Sequence, residues 1–156
     1  MNRFYAAQDG HIVPLIFPRN ITGGVTSPAF SLKNYSHASI VLVLGAQAAA
    51  NTDIILNACT NASGAGATPI AFDLFAAETS NVDLLTVREA QTASGYAPSA
   101  NADIFYVIEI DTQQLPQGYP YLQLEVTNGA NANYASAVAI LSGARYGGDQ
   151  SPTVLV

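Results

Sequence analysis

Period-two alternation is the pattern that most narrows what this chain can become. Over 103–111, Ile104, Tyr106, Ile108 and Ile110 fall on one face, while the other passes from Phe105 and Val107 to Glu109 and Asp111. Successive side chains of a strand point to opposite faces, so this is a strand with one buried face and a second that runs from covered to wet. A turn at 113–118, with Leu115-Pro116 and Gln117-Gly118, leads into 121–127, where Leu122, Leu124 and Val126 point inward and Gln123 and Glu125 outward. The spacing predicts that these two are adjacent antiparallel strands. Asn128-Gly129 marks a further turn, and the alanine-rich run 135–141 after it permits close sheet packing.

Upstream, 39–44 holds the unbroken run Ile40-Val41-Leu42-Val43-Leu44, expected as a central strand covered on both faces. The stretches 53–60 and 69–76 alternate, and 61–68 between them reads as a mobile loop from its Gly, Ala and Ser content. Pro14 and Pro18 restrict 12–17 to an edge strand, and 21–26 is shorter still. For 82–91 two readings stand: Ser80 followed by Asp83 resembles a helix-capping box, whereas Leu85 and Val87 alternate like a strand. About eight or nine short strands at roughly 10 to 15 residue spacing fit an all-β chain, a single-domain antiparallel β-sandwich of jelly-roll or immunoglobulin-like type. That domain takes in 1–156, with 1–9 and 147–156 as extended arms.

Composition bears on function. Charged residues make up 10% of the chain, eleven acidic and five basic, against about 25% in an ordinary free domain. So few charges leave a surface short of means to stay in water, which points to a component of an assembly. The net charge of −6 and the scatter of Arg3, Arg19, Lys33, Arg88 and Arg145 argue against a nucleic-acid grip, which needs clustered cations. Gln8, Asp9 and His11 interrupt any signal-peptide core, and no run approaches the roughly 20 apolar residues of a membrane span. The expectation is a soluble chain made in a reducing cytoplasm, without a membrane partner. The triplets at Asn20, Asn34 and Asn61 that match a glycosylation pattern then read as chance. Cys59, the one cysteine, is expected to be a small buried hydrophobe.

Catalytic patterns are absent. His11 and His37 are the only histidines and sit in no metal-binding spacing, so neither a metal nor another cofactor is expected. There is no Gly-x-Ser-x-Gly elbow, and Gly64-Ala-Gly66 runs into Thr68-Pro69 rather than opening a helix. Asp53, Asp73, Asp83, Asp103 and Asp111 stand mostly at strand ends, where carboxylates cap turns and block edge pairing. The chain is therefore read as no enzyme. Sugar binding is the better rival, since Tyr96, Tyr119, Tyr121 and Tyr134 lie in or beside turns, but there is no Trp, and loop tyrosines equally serve protein interfaces.

From Ile104 to Tyr146 the chain resembles small head-decoration (cement) proteins of tailed bacteriophages. The likeness rests on the strand Tyr106-Val-Ile-Glu-Ile-Asp111, the Leu115-Pro turn, the strand Tyr121-Leu-Gln-Leu-Glu-Val126 and the run Ala137-Val-Ala-Ile-Leu141 closing in Ala144-Arg145-Tyr146. It covers about a third of the chain and does not extend to the N-terminal third. The resemblance implies a non-enzymatic virion structural protein on the outer capsid surface, clustered as a trimer or similar at a symmetry axis. It would stabilise the mature shell by bridging neighbouring major capsid subunits. Candidate contacts are Arg3, Phe4 and Tyr5 at one end and Arg145, Tyr146, Val154, Leu155 and Val156 at the other. Two alternatives remain open: a head-to-tail joining or tail protein of the same virion, and an adhesin module with carbohydrate-binding loops.

Overall fold

The computed structural model describes residues 9–47 and 52–145. Two antiparallel sheets stack face to face. The strands, in chain order, are β1 (His11–Asn20), β2 (Val25–Thr26), β3 (Phe30–Ser31), β4 (Tyr35–Gln47), β5 (Ile54–Cys59), β6 (Thr68–Pro69), β7 (Phe72–Ala77), β8 (Glu89–Gln91), β9 (Ile104–Asp111), β10 (Tyr121–Val126) and β11 (Asn133–Ala144). A six-stranded sheet runs β1-β11-β4-β9-β7-β8, and a five-stranded one runs β2-β10-β5-β6 with β3 also on β10. Early strands pair with late ones: β1 with β11, β2 and β3 with β10, β4 with β9, and β5 with its successor β6. That nested pairing is a folded-over ribbon, the jelly-roll arrangement, and it resolves the choice against the immunoglobulin-like alternative. β7 and β8 extend the first sheet at one edge.

The expected pairing of 103–111 with 121–127 does not occur. β9 lies between β4 and β7, whereas β10 lies between β5 and the β2/β3 segment in the opposite sheet. The connection through the 3-10 turn Thr112–Gln114 crosses the end of the sandwich. Both alternating faces are buried as predicted, but against each other: Ile104, Tyr106, Ile108 and Ile110 share one core with Leu122, Leu124 and Val126. Alternation specifies which face is dry, and two strands meeting across a core satisfy it as well as two hydrogen-bonded neighbours do.

β4 departs from expectation in the same way. It is a long strand inside the six-stranded sheet, with Ile40, Leu42 and Leu44 fully buried. Its other face is open, and Val43 is 45% exposed. β1 is the predicted edge strand, with its register broken between Pro14 and Ile16 and again between Ile16 and Arg19. These bulges and prolines blunt that edge. The alanines Ala135, Ala137 and Ala139 point into the core and let β11 pack closely.

The segment 61–68, expected to be a mobile loop, is closed by its own bonds over 61–66 and enters β6 at Thr68. The Asn61 carboxamide accepts from the Ser63 and Ala65 amides at 3.0 and 3.1 Å, and the Thr60 amide donates to the Ala65 carbonyl at 2.9 Å. Cys59 is buried beside Gln123, and burial raises its thiol pKa. The region 82–91 is not a helix. Only Glu89–Gln91 forms a strand, preceded by a segment tied to β7 where the Thr86 amide donates to the Ala76 carbonyl at 2.8 Å. The chain then crosses to the other sheet, where Tyr96 forms a two-way bridge with Ile54. Glu78 anchors this excursion: one carboxylate oxygen accepts from the Tyr106 hydroxyl at 2.6 Å, the Tyr96 hydroxyl at 2.9 Å and the Ser99 amide at 3.2 Å.

Candidate functional site

The two outer faces of the sandwich differ in chemistry. On the five-stranded sheet the outward positions mix Ile55 and Cys59 with partnered polar residues: the Asn57 amide donates to Glu125 at 3.0 Å, and the Gln123 amide donates to the Ser27 carbonyl at 3.0 Å. On the six-stranded sheet, register places Phe75 beside Val107, Val107 beside Val41, Val41 beside Val138, and Val138 beside Pro14. This is one apolar row across five strands. Val43 beside Phe105 extends it on one side, and Ile140 beside Ile12 on the other. Ile12 is 47% exposed, Val138 38% and Phe17 on the edge strand 72%. Next to β7, Leu84 and Val87 are 79% and 81% exposed. Exposed hydrophobes scattered singly are ordinary, whereas these lie side by side in one row.

The same face ends in a polar cluster. His37 on β4 lies opposite Asp111 of β9, and Ser39 lies opposite Glu109. Imidazole Nε2 stands 2.6 Å from Glu109 Oε2 and Nδ1 2.8 Å from Asp111 Oδ1. The Ser39 hydroxyl donates to the same Glu109 oxygen at 2.7 Å and lies 3.3 Å from His37 Nε2. Arg88 pairs with Asp73 at 2.7 Å beside it, and the group lines a hollow of about 290 Å³. Serine, histidine and carboxylate thus come together, but not as a nucleophile with its base. Both ring nitrogens face carboxylates, which favours the imidazolium, and the Ser39 hydroxyl donates to Glu109 rather than to the ring. Burial works against that charge, yet the hydrogen bonds to Asp111 and Glu109 and their charges outweigh it, and the His37 pKa is raised.

A raised folded-state pKa has a definite sign. The extra stability is present in full below the unfolded value near 6.5 and is lost as pH rises through the folded value. Wild-type protein is therefore expected to lose stability from about pH 6.5 upward in urea titrations, and His37→Gln to flatten that slope. Among the described residues, Asp111 and Glu109 are the charged groups bonded to this ring, and Asp73 and Arg88 line the same hollow. An unchanged slope in His37→Gln would show that the cluster is not what titrates.

Of the residues singled out as contacts, Arg145 is described, and it lies at the end of the sandwich. Its backbone amide donates to the Asn34 carbonyl at 2.9 Å, while Nε donates to the Tyr35 carbonyl at 3.2 Å and Nη2 to Thr112 Oγ1 at 2.7 Å. It borders a cleft of about 370 Å³ with Lys33, Leu115 and Tyr119. Arg3, Phe4, Tyr5, Tyr146, Val154, Leu155 and Val156 lie outside the described residues, as do the proposed arms apart from Asp9. The turn tyrosines are dispersed rather than gathered into a platform. Tyr96 bonds Glu78 and packs at a tilt against Tyr106 with ring centroids 5.6 Å apart, Tyr119 borders the cleft, and Tyr134 is 48% exposed on the outer sheet face. The His37 cluster escaped the sequence reading because its members lie more than 70 positions apart and only the β4–β9 register joins them.

Among the described residues no cluster of His, Cys, Asp and Glu fits a metal ion, and no helix is long and apolar enough to cross a membrane. No family model matches the chain, and neither does any curated protein. Among solved structures it is similar to SPBc2 prophage-derived protein YomS, at 10% identity and a TM-score of 0.48, over 85% of this chain and 95% of that one. It is also similar to a chain from the T13 IBDV viral particle, at 10% identity and a TM-score of 0.24, over 86% of this chain and 39% of that one. At these values the likenesses carry no argument about what the chain does.

Proposed function

We propose that this chain is a non-enzymatic virion structural protein that docks on the outer capsid surface and stabilises the mature shell by bridging neighbouring major capsid subunits. The observation that carries the reading is the open apolar row Phe75, Val107, Val41, Val138 and Pro14 on the six-stranded sheet. One edge of that sheet is the bulged, proline-bearing β1 and the other the three-residue β8, so association through strand addition is disfavoured and the face itself is the docking surface. A low charge content fits a surface that spends its life covered. The mechanism is linkage: contacts made only in the mature shell lower its free energy, and many copies multiply the effect. Self-association as a trimer or other cluster at a symmetry axis belongs to this proposal.

Cryo-electron microscopy of immature and expanded capsids mixed with the purified protein tests it. Density between capsomers on expanded shells alone is the expected result. Density only at a portal vertex would move the protein to the joining apparatus, and no binding would turn attention to glycans. Val43→Asp places a charge on the docking face beside the apolar row, at a position already 45% exposed. It is expected to leave the circular dichroism spectrum unchanged, and to cost about tenfold or more in capsid affinity, the weight of one desolvated interface charge. Undiminished binding by a folded Val43→Asp protein would exclude this face as the contact.

A further inference from the structure

The cleft at the end of the sandwich gathers two of the chain's five basic residues, in a protein whose net charge is −6. Its walls are Leu32, Leu115, Pro116, Tyr119 and Pro120, and among the described residues its polar lining is Lys33, Thr112 and Arg145, with no carboxylate. Neither cation has an ion-pair partner among the described residues. Arg88, by contrast, is neutralised by Asp73. An arginine and a lysine without a described carboxylate partner, over an apolar floor, are complementary to an anion attached to an apolar group.

Arg145 is held ready for such a group. Nε and one N–H of Nη2 are occupied by the Tyr35 carbonyl and Thr112 Oγ1. Thr112 in turn donates its proton to the Ser36 carbonyl at 3.3 Å, which directs a lone pair toward the guanidinium. Among the described residues Nη1 and the second N–H of Nη2 have no hydrogen-bond partner, and their fork matches the two oxygens of a carboxylate. The floor is fixed as well: the Tyr119 amide donates to the Pro116 carbonyl at 3.1 Å, and the Leu32 amide to the Pro120 carbonyl at 3.3 Å. A pre-set donor fork on rigid walls binds without much ordering cost.

We infer that this cleft is a recognition site for a carboxylate-bearing peptide segment of a partner protein, an Asp or Glu flanked by apolar side chains, with Arg145 as the bidentate anchor and Lys33 as the second cation. A peptide is favoured over an acidic sugar by the lining. Sugar hydroxyls need side-chain amides or carboxylates to hold them, whereas here the Thr112 hydroxyl is already engaged and most of the rest is Leu, Pro and Gly. The inference holds whichever protein bears the segment, and it is tested with peptides rather than capsids, so its failure is separable from failure of the shell reading.

The full chain, labelled with nitrogen-15, is titrated with acetyl-Leu-Glu-Leu-amide, with acetyl-Leu-Gln-Leu-amide and with glucuronate. Expected are saturable amide shifts confined to residues around Lys33, Thr112, Tyr119 and Arg145, with a Kd of about 1 mM for the Glu peptide and at least about tenfold weaker binding of the Gln peptide. Arg145→Gln should abolish the response and Lys33→Gln reduce it by about threefold. Lys33→Gln, at an exposed position, also serves if Arg145→Gln fails to fold. Equal responses to the two peptides, shifts located elsewhere, or no shifts at 10 mM peptide, about ten times the expected Kd, would overturn the proposal. So would a response to glucuronate alone, which would assign the cleft to acidic sugars.

Discussion

Glu78→Ala is expected to lower the unfolding free energy by about 3 kcal/mol, a loss that most surface carboxylates could not produce. The reason lies in what its carboxylate holds. Tyr106 is fully buried, and its hydroxyl donates to Glu78 at 2.6 Å; without that acceptor a core phenol keeps an unpaired donor. The Tyr96 hydroxyl and the Ser99 amide lose the same oxygen, so the crossing from one sheet to the other loses its anchor. Three donors share one oxygen, and the loss is therefore smaller than three separate bonds would sum to. Urea unfolding measures it. Tyr106→Phe in the Glu78→Ala background should recover about 1 kcal/mol by removing the orphaned hydroxyl. A spectroscopic readout accompanies it: burial, then the hydrogen bond and charge of Glu78, push the Tyr96 phenol up to about 12. In Glu78→Ala that value should fall while staying above 10, because the burial remains. A loss under about 1 kcal/mol would mean that Tyr106 finds another acceptor and that Glu78 is no anchor.

The second large effect is steric. Gly95 has φ +82°, and a Cβ there would run into the Ile54 carbonyl oxygen and come within 3.0 Å of Ile55 Cγ1. The obstacle is backbone of β5, which β10 pins along its length and the Tyr96 bridge ties at Ile54. It cannot swing aside as the tip of a flexible side chain would. Gly95→Ala is therefore expected to cost about 2 to 4 kcal/mol, from left-handed backbone strain together with displacement of the bridge. Gly118, with φ +86° and open space around it, isolates the first contribution: Gly118→Ala should cost only about 1 to 2 kcal/mol. Equal melting shifts for the two variants would show that the Ile54 contact yields freely.

Glu78 and Gly95 flank 82–91, the stretch whose sequence pattern is compatible with both helix and strand. Ser80 and Asp83 suggested a helix start and Leu85 with Val87 a strand, yet local preference decided neither. Long-range contacts did: Glu78 to Tyr106, Thr86 to Ala76 and Tyr96 to Ile54. Propensity is a weak prior where tertiary partners are this strong.

The sequence by itself determined the all-β class, the inward faces of β9 and β10, the edge position of the proline-bearing β1 and the burial of Cys59. Each follows from something local that any sandwich must respect: the two-residue period of a strand, the missing amide of proline, or the apolar character of a lone thiol. Tertiary structure alone decided that β9 and β10 lie in opposite sheets and that the outer face of β4 is open. It also decided that His37 meets Glu109 and Asp111, and that Lys33 and Arg145 border one cleft. Those outcomes depend on which strand neighbours which. A jelly roll pairs early strands with late ones, and the side-chain period that reveals a strand's faces is silent about the partner beyond its edge.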